Sequence, residues 1–509
     1  MATANPAPPA PALTPGRVRA ITITVMLTTI MQALDMTIAN VALPHMQGSM
    51  SATLDQISWV LTSYVVAAAI CMPLTGILSA KLGRRRLFIL STVAFTVTSM
   101  MCGFAQSLEQ LVLFRVLQGA FGAFLVPLSQ AVLLDTYPTE RHGWAMAVWG
   151  IGVMVGPILG PSLGGYLTEF YNWRWVFFVN LPFGVLACIG LVFVLQETPV
   201  DRSRRFDLLG FVLLTIAIGS LQTMLDRGES LNWFASHEII IFGIAAAVAM
   251  YLFIAHIFTH DHPFIDPLLF KDRNFSIGLL LIFIVGMILL ATLALLPPFM
   301  QNLLGYPVLD VGNLLVPRGI GTMIAMMTVG RLAGRIDLRY LVMLGFILSA
   351  GAMWEMTGFT TDTGSWAIIR TGVFQGLGLG FLFVPLATIT FATLPPRFRN
   401  DGTSIFSLVR SIGSSIGISI VITYLSRQAQ ANHEVLARHI NPFNPGLQQA
   451  IESGAISVDN VAGLTMLNNQ VNEQALMLAY LQDFSLLMTI SLCAIPLVWL
   501  LRGNTRPAR

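Results

Sequence analysis

The chain has 509 residues, of which 55% are hydrophobic and 10% charged, with a mean hydropathy of +0.74 and a formal charge of +3. Water-soluble domains carry about 25% charged residues, so this composition excludes a soluble globular enzyme and makes lipid the solvent for most of the surface. The small net charge gives no reason to expect a nucleic-acid partner.

Residues 1–19 are rich in Pro and Ala and are expected to form a disordered cytoplasmic tail. The first apolar stretch, 20–43, is too long for the core of a cleaved signal peptide and lacks a small-residue cleavage site, so it is expected to remain as the first span. Further apolar stretches follow at 56–80, 87–106, 109–135, 143–167, 175–195, 207–225, 237–258, 275–300, 310–332, 339–359, 365–393, 402–425 and 479–501. Each can cross a hydrocarbon core of about 30 Å as a helix. The expected fold class is an all-α membrane protein with 14 transmembrane helices.

Lysine and arginine set the orientation. With the N-terminus inside, 20 of the 28 basic residues fall in inside segments, 4 in outside segments and 4 within spans. One span miscounted midway would invert every later loop and erase that bias. The reading is a multi-pass inner-membrane protein with both termini cytoplasmic, the last tail being 502–509. One outside segment, 426–478, is long and polar; it includes Asn441-Pro-Phe-Asn-Pro-Gly446 and is expected to hold two amphipathic helical stretches. It reads equally as a surface cap or as a docking surface.

The chain repeats itself. Gly330 through Leu341 aligns without gaps on Gly76 through Leu87, and Gln375-Gly376, Val384-Pro385-Leu386 and Pro395 echo Gln118-Gly119, Val126-Pro127-Leu128 and Pro138. The expected organisation is an N-terminal six-helix bundle at 20–200, an inserted helix pair at 201–265 and a C-terminal six-helix bundle at 266–501. Parallel repeats of this kind place the substrate between the halves.

A carboxylate in mid-membrane costs a few kcal/mol, which makes function the default reading of Asp35. Asp35 lies about 22 Å from the inner end of the first span at 1.5 Å per residue, and Arg115 about 9 Å from the outer end of the fourth. In a core of about 30 Å the two share one level. A guanidinium there favours the ionised carboxylate and an apolar environment the protonated one, opposed effects that a change of conformation can tip. Asp35 and Arg115 are the expected proton-coupling pair; the bland alternative is a structural ion pair. Gln32, Asn40 and Gln118 are candidate polar contacts for substrate. The fifth span carries Gly152, Gly156-Pro157, Gly160-Pro161 and Gly164-Gly165, a smooth face with two helix-bending prolines, expected to seal or hinge the halves. Lys81, Gly83, Arg84 and Arg85 anchor topology and are candidates for gating. Glu355, Arg370 and Arg318 could pair or snorkel.

Other motifs lead nowhere. Gly413-Ser-Ser-Ile-Gly417 has the spacing of a nucleophile elbow but lies in an apolar helix, not at a strand–helix turn. His433-Glu434 lacks a histidine four residues after the first, and neither lysine stands in a phosphate-binding loop. The four cysteines lie in apolar stretches without metal-ligand spacing. No cofactor or metal is expected, and no enzymatic activity.

Leu34-Asp-Met-Thr-Ile-Ala-Asn-Val-Ala-Leu-Pro44 resembles the first-helix signature of the fourteen-span drug:proton antiporters of the major facilitator superfamily. Gly76 through Arg86 resembles that superfamily's loop motif, Arg115-Val-Leu-Gln-Gly119 its fourth-helix motif, and Gly152 through Gly165 its antiporter motif. Trp173-Arg-Trp-Val-Phe-Phe-Val-Asn-Leu-Pro182 is typical of the fourteen-span branch, and Gln222 through Gly228 with Asn441 through Pro445 is most similar to the EmrB type of Gram-negative bacteria. The resemblance implies the major facilitator fold, proton transfer involving Arg115, and export of hydrophobic or amphiphilic drugs. It also implies a tripartite pump with a periplasmic EmrA-like membrane-fusion adaptor and an outer-membrane TolC-like channel. One departure stands out: Ala80 occupies the place of an acidic residue in the loop motif, which leaves the expected carboxylate lock between the halves without its usual member. An exporter of a natural fatty acid or siderophore, an importer of the same fold, a membrane enzyme and a structural or sensory protein are the competing readings.

Overall fold

The computed structural model describes residues 14–201, 206–441, 443–452 and 460–503. Most of the expected tails at 1–19 and 502–509 lies outside these residues, as do Arg202, Arg204 and Arg205. The described residues are almost all helical.

The first half of the bundle runs from α1 (Pro15–Met50) through the bent pair α2 (Leu54–Cys71) and α3 (Leu74–Leu82), α4 (Arg84–Phe104), α5 (Leu108–Gly122) with α6 (Leu125–Thr136), α7 (His142–Phe170), and α8 (Trp175–Phe178) with α9 (Asn180–Val194). Two helices follow, α10 (Leu208–Arg227) and α11 (His237–Thr259). The second half is α12 (Arg273–Asn302), α13 (Val308–Leu332), α14 (Leu338–Met356), α15 (Ser365–Ala392), α16 (Arg399–Arg438), the short α17 (Pro445–Glu452) and α18 (Val461–Val498). The break between α2 and α3 falls at Met72-Pro73, where proline removes a backbone donor, and the axis bends by 59°.

Twelve helices among the described residues are long and apolar enough to cross a membrane, and the bent pair makes thirteen. The stretch expected at 310–332 is a 25-residue helix in the same bundle, α13, but Asp310, Asn313, Arg318 and Arg331 interrupt its apolar run and it is not among the thirteen. The expected fourteen is therefore not reached on length and apolar character alone.

The repeat is visible in the packing. A side chain at Gly119 would collide with the Tyr64 carbonyl at 2.3 Å, and one at Gly376 with the Arg318 carbonyl at 1.9 Å. A side chain at Gly156 would meet the Ala33 carbonyl at 2.2 Å, and one at Gly413 the Phe283 carbonyl at 2.3 Å. So α5 crosses α2 as α15 crosses α13, and α7 crosses α1 as α16 crosses α12. The glycines of the dismissed elbow pattern, Gly413 and Gly417, are the second half's version of Gly156 and Gly160.

The segment 426–478 is mostly helix. α16 runs on to Arg438 and α18 starts at Val461, so both extend beyond the bundle. Asn432 Nδ2 ties the two extensions by donating to the Ala475 carbonyl and Gln482 Oε1, both at 3.3 Å.

Candidate functional site

Asp35 is fully buried on α1, and both its carboxylate oxygens accept hydrogen bonds. Arg115 Nη1, from α5, donates to Oδ2 at 2.8 Å. Gln118 Nε2, one turn further along α5, donates to Oδ1 at 2.8 Å, and Asn180 Nδ2, at the start of α9, donates to the same oxygen at 2.8 Å. The shared depth inferred for Asp35 and Arg115 is thus a direct ion pair.

The donors are themselves held. Arg115 Nε donates to the Val60 carbonyl at 3.0 Å where α2 crosses α5, and Arg115 Nη1 also reaches Gln118 Oε1 at 2.9 Å. The guanidinium lies over the Tyr64 ring, 4.2 Å from its centroid, a favourable cation–π placement. Asn180 Nδ2 also donates to Ser99 Oγ at 3.0 Å, and Ser99 donates to the Phe177 carbonyl at 2.9 Å. A buried charge pair persists only when its remaining hydrogen-bonding capacity is satisfied, and this one is closed by residues from α1, α2, α4, α5 and α9. Changing the proton on Asp35 would disturb all of them together.

The candidate substrate contacts separate. Gln118 belongs to the ion-pair network. Gln32 is buried and donates weakly to the Tyr64 hydroxyl at 3.4 Å. Asn40 is exposed and takes no part in this network.

Helix α7 lies between the site and the second half. Its glycine face packs on α1 rather than across the interface: side chains at Gly152, Gly156 and Gly160 would collide with Met26, Ala33 and Thr37. Thr37 Oγ1 donates to the Gly156 carbonyl at 2.9 Å. The opposite face meets α13, where Gly330 sits against Ala147, Gly319 against Ile158 and Gly312 against Ser162. The helix that grips the Asp35-bearing segment is thus also the one that meets the other half, with Pro157 lining a small cavity there and Pro161 beside it on α7.

The basic loop is built around carboxylates outside its own motif. Gly83 has φ +85°, the left-handed region that glycine adopts freely, and a side chain there would strike Glu197. Arg85 donates its backbone N–H to Glu197 Oε1 at 3.2 Å and Nη2 to the Val192 carbonyl at 2.6 Å. Lys81 stands over the Phe206 ring at 6.0 Å. Arg84 pairs with Asp135, at the end of α6, at 2.5 Å, and Asp135 also pairs with Arg399, the first residue of α16 in the other half. A side chain at Gly76 would collide with Asp401 of α16. Asp135 thus links the halves, pairing with Arg84 of the first and Arg399 of the second.

Sequence reasoning missed Asn180, Asp135 with Arg399, and Asp483. Asn180 stands within Trp173–Pro182, the stretch typical of the branch, but nothing local gave it a role. Asp483 lies fully buried in α18 with neither carboxylate oxygen hydrogen-bonded; a span drawn from 479 had put it near a membrane surface. Glu355 and Arg370, expected to pair or snorkel, form an ion pair.

Beside α10 and α11, Asp207, His256 and His260 bring one ligand atom each within 4.8 Å of one another. Asp207 is engaged there: it accepts from the Gly210 N–H at 2.8 Å, the Phe264 N–H at 3.0 Å and His256 Nε2 at 2.9 Å. Burial would raise its carboxyl, but these donors outweigh burial and hold it below the ordinary carboxylate value. The group clamps α10 and α11 to the segment that follows them.

Residues 25–418 match the family model described as Major Facilitator Superfamily. Multidrug export protein EmrB of Escherichia coli strain K12 is 39% identical over 485 residues, covering 94% of each chain. Fatty acid resistance protein FarB of Neisseria gonorrhoeae is 35% identical over 482 residues, covering 94% of this chain and 95% of that one. The crystal structure of the human organic anion transporter MFSD10 (TETRAN) superposes with a TM-score of 0.60 over 94% of this chain and 100% of that chain, at 14% identity, a likeness of fold alone.

Proposed function

This chain belongs to the Major Facilitator Superfamily, and from that premise we propose that it is a proton-coupled antiporter exporting hydrophobic or amphiphilic compounds across the inner membrane. The observation that supports this most is the fully buried Asp35 carboxylate with three side-chain donors on it. Asp35 is the proton carrier in this reading. Arg115, Gln118 and Asn180 stabilise its ionised form, and protonation releases them.

The coupling runs through packing. α1 carries Asp35, α7 seats its glycines on α1, and the opposite face of α7 meets α13 of the other half. A change at Asp35 therefore reaches the interface between the halves through one continuous helix. The driving force is sufficient: a proton-motive force of about 180 mV supplies on the order of 4 kcal/mol, nearly a thousandfold gradient.

In this reading the chain has fourteen spans with both termini cytoplasmic. It works with an EmrA-like adaptor and a TolC-like channel, the adaptor docking on the helical extensions within 426–478. The likeness to a protein named for fatty acid resistance supports a second reading, export of a natural fatty acid or comparable metabolite by the same machinery.

Proton exchange on substrate binding tests the assignment. In weakly buffered solution, adding a transported drug to the purified protein should change the pH in the wild type and not in Asp35→Asn, while the variant still binds the drug. An equal proton signal from the variant would remove Asp35 from the role.

A further inference from the structure

The two halves treat the Asp35–Arg115 site differently. The alignment that superposes α13 on α2 puts Arg318 at the position of Tyr64, and their carbonyls are packed alike by Gly376 and Gly119. The same packing puts Gly372 at the place of Arg115, and Val285 of α12 at the place of Asp35. The first half thus buries a carboxylate and a guanidinium as a closed pair. The second half keeps a guanidinium, moved from one helix to another, with no carboxylate at the matching place to close it; its buried acid, Asp483, stands on α18.

Arg318 is buried, with a relative exposure of 5%. Its Nη2 donates to Thr292 Oγ1 at 3.0 Å and more loosely to the Leu289 carbonyl at 3.4 Å. Its Nη1 is buried without any partner, and Arg318 forms no ion pair among the described residues. The side chain lines a cavity between the halves, bounded by Met154, Pro157 and Ile158 of α7 and by Leu289, Leu293 and Leu379 of the second half. The cavity holds about 30 Å³, space for a water or two, so a larger ligand enters only when α7 and α13 part. A buried arginine stays protonated, and a buried charge without a counter-charge is costly. A buried donor left without an acceptor adds to that cost.

We infer that Arg318 is the recognition point for an anionic head group, and that the cavity takes amphiphilic anions, a carboxylate or similar acid on an apolar body. The inference rests on the reading that substrate sits between the halves. The head group supplies the counter-charge that the repeat omits, accepting from Nη1 and Nη2 together, while the apolar body lies among Met154, Ile158, Leu289, Leu293 and Leu379. A bidentate guanidinium–carboxylate contact is geometrically specific as well as strong, so the site discriminates against uncharged molecules of the same shape.

The test measures binding of labelled dodecanoate, dodecanol and dodecyltrimethylammonium to the full-length protein in lipid nanodiscs at pH 8, corrected for empty nanodiscs. The wild type should prefer dodecanoate over dodecanol at least tenfold. Arg318→Gln should abolish that preference, and Arg318→Lys should keep part of it. Thr292→Asp, which places a carboxylate against the guanidinium, should abolish it with Arg318 still present. A wild type that binds the three probes alike would overturn the inference even if Arg318→Gln failed to fold, and so would a Thr292→Asp protein that kept the preference. Binding is read without a proton gradient, so a failure of proton coupling elsewhere leaves this result unaffected.

Discussion

Asp135 is held by two guanidinium groups from opposite halves, Arg84 from the basic loop and Arg399 from the start of α16. Asp135→Asn keeps the shape and removes the charge, leaving those two cations facing each other across the interface. Hydrogen bonds to charged groups contribute about 1.5–3 kcal/mol. Asp135 is one-third exposed while both arginines are nearly buried, so solvent screening lowers the figure to about 1–2 kcal/mol for the link between halves. Only the closed arrangement contains that link, so its loss should shift the closed-to-open ratio by about 5- to 30-fold. Spin labels at Glu140 and Arg397, exposed residues at this same end of the two halves, report the separation by double electron–electron resonance. The wild type should show a dominant short distance and Asp135→Asn a larger long-distance population. An unchanged distribution would mean that Asp135 does not hold the halves together, and that the glycine contacts of α7 with α13 suffice.

Asn180→Leu takes one of three donors from a buried carboxylate and should lower the melting temperature, with a loss of about 1–3 kcal/mol, and alter the pH dependence of transport more than Asn40→Leu does. Gly156→Leu would drive a side chain into the Ala33 backbone and should destabilise the protein by about 1–3 kcal/mol or more, read as a fall in melting temperature together with lost transport. Asp207 is held below its ordinary value, so its contribution is present above the unfolded-state value near pH ~3.9 and fades as pH falls through the lower folded value. The melting-temperature difference between wild type and Asp207→Asn should therefore shrink as pH falls below about pH 4; a constant difference from about pH 5 down to about pH 3 would deny the clamp its charge.

The large elements were legible because lipid makes hydrophobic length a direct readout of helices, and the basic residues between them fix an alternating order. The pairing of Asp35 with Arg115 was legible because depth in a membrane can be computed from sequence position. The same reasoning could not find Asn180, whose role depends on how α9 begins against α1 and α4. It missed Asp483, since α18 begins far before the apolar stretch that marked its span. The face that the α7 glycines present was undetermined, since a glycine stripe tells which helix side is smooth and not which neighbour lies on it. The Asp135 link was also hidden, since Asp135 stands outside the loop motif and its partner Arg399 comes from the far half of the chain. Arg318 looked like one of several surface-seeking arginines until the repeat showed what it lacks.

The most direct test of the account is pH-gradient-driven transport of a fluorescent hydrophobic compound by proteoliposomes containing the wild type or Asp35→Asn. The account predicts gradient-dependent accumulation in the wild type, with Asp35→Asn binding the compound but moving it at the same rate with and without the gradient. Gradient-driven accumulation by Asp35→Asn at the wild-type level would contradict it.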